Sequence, residues 1–209
     1  MTSVRITVLD LDGVPEEALR HGLTPGDVAL VAHVRNERRR LRLLAARHAF
    51  RAAAADVAGH PPAEITLRRG LDGGPFTVAP GAHVAATEQG RYCAVATARG
   101  LPVGVDLKQV VPTPPTPALV SFLPARGRAA LEAARPDGAP REFALWWCRV
   151  EAAARVCGAG LDDGARCLDA CADHAEVVGP DLAVAVAVPG GGPLAVRVSF
   201  AATPAGAVR

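Results

Sequence analysis

Aromatic residues are scarce, at 4% of 209 positions. That leaves little of the stacking surface on which single-stranded nucleic acids are held. Lysine is almost missing: of the 23 basic residues, all but Lys108 are arginine. No excess of one charge exists either, since 23 basic and 21 acidic residues give a formal net charge of +2. An acidic-tail protein is thereby excluded, and nucleic-acid binding is a weak option, since Arg38 to Arg42 is one basic patch without aromatic partners. No apolar run reaches the ~18 residues of a membrane span. The start, Met1 to Ile6, shows no basic stretch leading into an apolar core, so no secretory signal is expected and the expected location is cytoplasmic. The 5 cysteines are odd in number and scattered, which suits a reducing compartment better than a disulfide framework. No phosphate-binding loop ending in Gly-Lys-Ser/Thr occurs, and no Gly-x-Ser-x-Gly elbow.

What is present is an apolar half of the chain, 50% of residues, built on Ala, Val and Leu. Residues 4–9 alternate as a strand does. A long helix is expected over 34–58, with Arg38, Arg39, Arg40 and Arg42 on a basic side and Leu41, Leu44, Ala45 and His48 on a packing side. His60-Pro61-Pro62 stops it. Strands are expected at 65–68, 84–87, 92–97 and 103–110, with a turn at 70–75. Four prolines between Val111 and Pro117 make a stiff connector. Beyond it lie an expected helix at 118–134, a stronger one at 141–157 closed by Gly158 and Gly160, and a hairpin of strands 182–188 and 194–200 around Pro189–Pro193. The expected architecture is α+β: an N-terminal half at 1–110, the connector at 111–117 and a C-terminal half at 118–209, with a site in the cleft between the halves.

Two segments carry chemistry. In Gly104-Val105-Asp106-Leu107-Lys108, strand alternation puts Asp106 and Lys108 on one face. In Trp147-Cys148-Arg149-Val150-Glu151-Ala152-Ala153-Ala154-Arg155, helical spacing stacks Trp147, Glu151 and Arg155. Gly158-Ala159-Gly160-Leu161 follows. Cys167, Cys171 and His174 share a helical spacing, but zinc wants four ligands, and packing is the expected role. Cys148 and Cys157 are expected to be packed.

These two segments, with the Arg42 helix, the Gly73-Gly74-Pro75 turn and the strand Val84 to Gln89, resemble the Sfp-type 4′-phosphopantetheinyl transferases. Their signature is a strand Gly-Val/Ile-Asp-x-Glu, then a helix Trp-x-x-Lys-Glu-Ala-x-x-Lys and Gly-x-Gly-Leu. The resemblance implies two similar α+β halves in pseudo-twofold arrangement. It also implies transfer of phosphopantetheine from coenzyme A to a carrier-protein serine, with Mg²⁺ held by carboxylates. It places Asp106 and Glu151 at metal positions, and Arg42, Thr87 and Arg155 at cofactor-binding positions.

The departures share a direction. Lys108 stands at the third carboxylate position, and an ammonium cannot ligate a metal. Glu88 replaces the phosphate-binding histidine, Gly74 the turn lysine and Val150 the helix lysine. The expectation is therefore a repurposed enzyme of polyketide or peptide biosynthesis. Lys108, Glu151, Asp106 and Glu88 would carry acid–base chemistry (cyclisation, dehydration or isomerisation) on a small-molecule or carrier-bound intermediate. A working transferase using coenzyme A and Mg²⁺, with an acyl or peptidyl carrier protein as partner, is the first alternative. A non-catalytic carrier-protein binder is the second. Neither nucleic acid nor a membrane is expected as a partner.

Overall fold

The computed structural model describes residues 1–12, 14–19, 22–65, 74–179 and 181–201. It is mixed α+β with two sheets. In chain order the elements are β1 (Thr2–Asp10), α1 (Glu16–Leu19), α2 (Pro25–Val31), α3 (Glu37–Ala58), β2 (Phe76–Ala79), β3 (Ala82–Gln89), β4 (Tyr92–Arg99), β5 (Gly104–Gln109), α4 (Pro117–Ser121), α5 (Ala125–Ala133), α6 (Ala139–Cys157), α7 (Gly164–Asp169), β6 (Cys171–Val178), β7 (Leu182–Pro189) and β8 (Leu194–Ala201). One sheet runs β2-β3-β4-β1-β8 and the other β5-β7-β6.

Alternation sorts these strands into layers. On β1, Val4, Ile6 and Val8 point between the sheets, where they meet Ala85, Ala94 and Ala96 of the first sheet and Val105, Leu107, Val184 and Val186 of the second. On the far side of the first sheet, Leu44, Ala45, Phe50 and Ala54 of α3 pack on Val84, Ala86 and Val95. On the far side of the second, Trp147, Cys148, Val150 and Ala152 of α6 pack on Ala183, Ala185 and Ala187. The order is helix, sheet, sheet, helix, with small Ala and Val side chains filling the middle.

Several sequence expectations change. The helix expected at 118–134 is two, α4 and α5, because Pro124 cannot continue one and instead sits at the start of the next. The terminal hairpin does not form. β7 pairs with β5 and β6, while β8 crosses to the other sheet and runs parallel to β1. The connector at 111–117 therefore does not divide the sheets: β5 precedes it and pairs with β7, and β8 follows it and pairs with β1. Cys167 lies on α7, whereas Cys171 and His174 lie on β6, a strand the sequence reading missed. Ile65 follows a short 3-10 turn rather than starting a strand; residues 66–68 and most of the expected turn at 70–75 lie outside the described residues.

A buried ion-pair cluster anchors α2 to α3. Asp27, 1% exposed, accepts from Arg47 Nε at 2.9 Å and from Arg51 Nε at 2.6 Å. It also closes a capping box with Thr24 at the start of α2. Arg51 reaches on to the carbonyl oxygens of Pro62 and Ile65. Arg47 and Arg51 thus lie inside the protein and leave the exposed basic side of α3 to its first turns.

Candidate functional site between β5 and α6

Gly104 opens β5 at the point where α6 comes closest. A Cβ there would run into the Ala152 carbonyl oxygen and the Val156 amide. With no side chain in the way, helix and strand press together, and by strand alternation Asp106 and Lys108 face α6 while Val105 and Leu107 point between the sheets. The motif aspartate and the helix cation consequently meet. Arg155 Nη1 lies 2.8 Å from Asp106 Oδ1 and donates to Thr87 Oγ1 and to the Val105 carbonyl oxygen, each at 3.0 Å. Arg155 Nη2 lies 3.6 Å from Glu151 Oε2. One guanidinium thus joins β3, β5 and α6.

Asp106 is 3% exposed, and its Oδ2 has no hydrogen-bond partner. Burial lifts its carboxyl to about 6 against the opposing charge of Arg155, and Glu151 adds to the lift. Cys148 is buried beside it, with its thiol donating to the Ala183 carbonyl oxygen at 3.6 Å; burial and the nearby Asp106 push that thiol up. Lys108 is two residues further along the same face. Its Nζ stands 5.7 Å from the ring centroid of Trp147, a cation–π distance. Phe122 and Phe143 pack on that indole.

The cation between Asp106 and Glu151 is therefore Arg155 and not Lys108, and no ion pair to Lys108 is found among the described residues. The donor set suits Mg²⁺ poorly. Both carboxylates face a guanidinium, and the third family position is an ammonium. Among the described residues no group of three or more His, Cys, Asp or Glu side chains could hold a metal ion.

Strand alternation separates the remaining candidates. Thr87 points toward Asp106, so its neighbour Glu88 points the other way. Glu88 lines a cleft of about 510 Å³ with Asn36, Arg38, Arg39, Arg42 and Gly90. It cannot act together with Asp106, Lys108 and Glu151 as the sequence reading proposed. Desolvation raises its carboxyl, with the charge of Arg39 opposing. Two arginines of this cleft are held by Asp12, which takes Arg38 Nη2 at 2.6 Å and Arg42 Nε at 2.7 Å. Those bonds hold the Asp12 carboxyl far below its ordinary value. Arg42 is thus already engaged by a carboxylate.

A second cleft, of about 400 Å³, opens at the C-terminal end of α6, between residues 74–76 and 155–159. Arg155 forms part of its wall. From the cleft, the polar groups follow one another along the β5–α6 seam: Arg155, then Asp106 and Glu151, then Lys108 at Trp147. The sequence reading expected these residues in a cleft between the halves; the cleft beside Arg155 lies at the end of α6, against residues 74–76. Cys157, expected to be packed, is exposed at its edge.

No protein-family model matches the chain, and no curated protein matches it either.

Proposed function

We propose that this chain is a phosphopantetheinyl-transferase-like protein whose site has turned from metal-dependent phosphoryl transfer to acid–base chemistry on a polyketide or peptide intermediate. In this reading the two α+β halves keep their pseudo-twofold relation, each long helix, α3 and α6, covering one sheet. The observation that carries the reading is Arg155 bonded between Asp106 and Glu151. A guanidinium stays protonated at any working pH, so it fills permanently the space a divalent ion would share with substrate. Lys108 is the group that moves the proton. It is the one side chain of this seam that combines partial exposure with a titratable cation. Arg155 meets the oxygen of an intermediate in the 400 Å³ cleft, and Asp106 and Thr87 fix the orientation of Arg155.

The test has two arms. Incubation with coenzyme A, Mg²⁺ and an apo carrier protein should leave the carrier mass unchanged; gain of a phosphopantetheine group would refute the reading. A panel of carrier-bound and free β-keto intermediates, followed by mass spectrometry and chromatography, should yield a rearranged or dehydrated product. If Lys108 transfers protons, Lys108→Arg should lose as much activity as Lys108→Ala, about 10²–10⁴-fold. Full activity in Lys108→Arg would reduce Lys108 to a fixed charge and overturn its assignment.

A further inference from the structure

The first sheet ends on β8, and among the described residues no strand pairs with its outer edge. β8 keeps an unbroken register with β1 from Leu194 to Ala201, with no bulge and no proline. An edge strand of this kind turns a row of backbone N–H and C=O groups away from its neighbour, where another strand can bond them. Other edges are guarded. β2, at the opposite end of the same sheet, is only 4 residues long, and β6, at one end of the second sheet, carries Asp173, His174 and Glu176. On β8 the one charge is Arg197.

The two faces of β8 differ. Register sets Val196 and Val198 beside Val4 and Ile6, so they point between the sheets, where they are half-buried. Phe200, beside Val8, continues that row. Its ring leans on Tyr92, with 6.3 Å between centroids, yet Phe200 stays 45% exposed. On the other face Arg197 stands directly beside Arg5. Arg5 has a carboxylate, Asp56, at 2.8 Å. Arg197 is exposed and has no ion-pair partner among the described residues. Like charges side by side on neighbouring strands are destabilising, and a single carboxylate offsets these two.

We propose that the outer edge of β8 docks an extended segment of a partner protein in which acidic and apolar residues alternate. The segment adds a sixth strand to the first sheet, and its backbone bonds the free edge. Successive side chains of a strand point to opposite faces. Its acidic side chains therefore fall beside Arg197 and balance the Arg5–Arg197 pair. Its apolar side chains fall beside Val196, Val198 and Phe200 and cover them. A second copy of this chain suits the edge less well, because its β8 would bring another uncompensated arginine. The lone arginine thus selects the partner: it repels a like edge and attracts an acidic one.

The experiment titrates the full chain into a fluorescent peptide as long as β8, 8 residues, that alternates glutamate with valine, and reads anisotropy. The expected result is saturable binding that weakens as salt is raised. The same peptide with lysine for glutamate should not bind, nor should one with its glutamates and valines in two blocks. Two N-methylated forms, one blocked at every valine and one at every glutamate, present opposite backbone edges, and one of them should lose binding. Arg197→Glu should weaken binding of the acidic peptide about tenfold, while Arg135→Glu, an equal change of charge on an exposed residue elsewhere, should not; circular dichroism confirms that both variants remain folded. Equal binding of the acidic and lysine peptides, full binding by both N-methylated forms, or unchanged affinity in Arg197→Glu would overturn the proposal. So would a dimer of the chain, seen by sedimentation velocity, that the peptide displaces, since the edge would then belong to a second copy. This inference does not depend on the reaction assigned to Lys108, which lies on the other sheet.

Discussion

Replacing Asp106 by Asn isolates the most unusual electrostatic feature of the molecule. Asp106 is buried with one oxygen on Arg155 and the other unpartnered. Its carboxyl sits near 6 in the folded chain against an ordinary value of 3.8. Between these two pH values the folded chain still holds a proton that the unfolded chain has released. Stability must then fall as pH rises through that window. The contribution of Asp106 is fully present below about pH 4, is lost by about pH 6 and is flat above. A gap of about two pH units corresponds to ~3 kcal/mol. Asn does not titrate, so the difference between wild type and Asp106→Asn reports this group alone, whatever constant offset the weakened Arg155 bond adds. Urea unfolding at constant ionic strength, from about pH 4 to about pH 8, should show the variant gaining about 3 kcal/mol on the wild type, with the gain complete near pH 6. A flat difference, or one that moves the other way, would refute the argument that burial outweighs the Arg155 charge.

Two further predictions concern the supports of the site. Asp27→Ala strands two buried arginines and removes the capping box of α2, so it should cost about 3–5 kcal/mol by urea unfolding. Because hydrogen bonds from Arg51, Thr24 and Arg47 outweigh burial and bring Asp27 to about 2, the stability it supplies should fade as pH falls from about 4 to 2, opposite in sign to Asp106. Gly104→Ala should lower thermal stability and weaken the Arg155–Asp106 contact together, because its Cβ can only be housed by moving α6 off β5. A variant as stable as wild type would show that the close approach is not needed.

The sequence made the strands and the two long helices legible wherever alternation or helical spacing was strong, as at β1, β5, α3 and α6. It also brought Asp106 and Arg155 into one argument, because motif order put them on facing elements. What it hid has identifiable causes. β6 mixes Asp, His and Glu with small residues, so its period-two signal is weak. The partner of β8 depends on contacts nearly the full chain length away. The burial of Arg47 and Arg51 contradicts the usual placement of arginine, and only the position of Asp27 explains it. One error was avoidable. Thr87 and Glu88 are adjacent on a strand, so both could not face the same site.

The charges of the two faces decide what they can bind. Along the β5–α6 seam, Asp106 and Glu151 cancel Arg155 and Lys108. In the Arg-lined cleft, Asp12 already holds Arg38 and Arg42, and Glu88 adds a further negative charge opposite Arg39. A pyrophosphate would therefore meet no surplus of positive charge at the seam and only a small one in the cleft. It would also lack the bridging ion that neutralises it in phosphoryl transfer. The expected outcome is that coenzyme A with Mg²⁺ fails to stabilise the chain. A true ligand present at 100 times its Kd would add about 2.7 kcal/mol. For a chain of this size each kcal/mol moves Tm by roughly 2–4 °C, so binding would be plain in a thermal scan. Coenzyme A with Mg²⁺ should shift Tm by less than about one degree, and Lys108→Glu combined with Glu88→His should increase the shift. A shift of several degrees in the unaltered chain would mean that Arg155 gives up its carboxylates on binding. The site would then be a metal centre that arginine only holds closed.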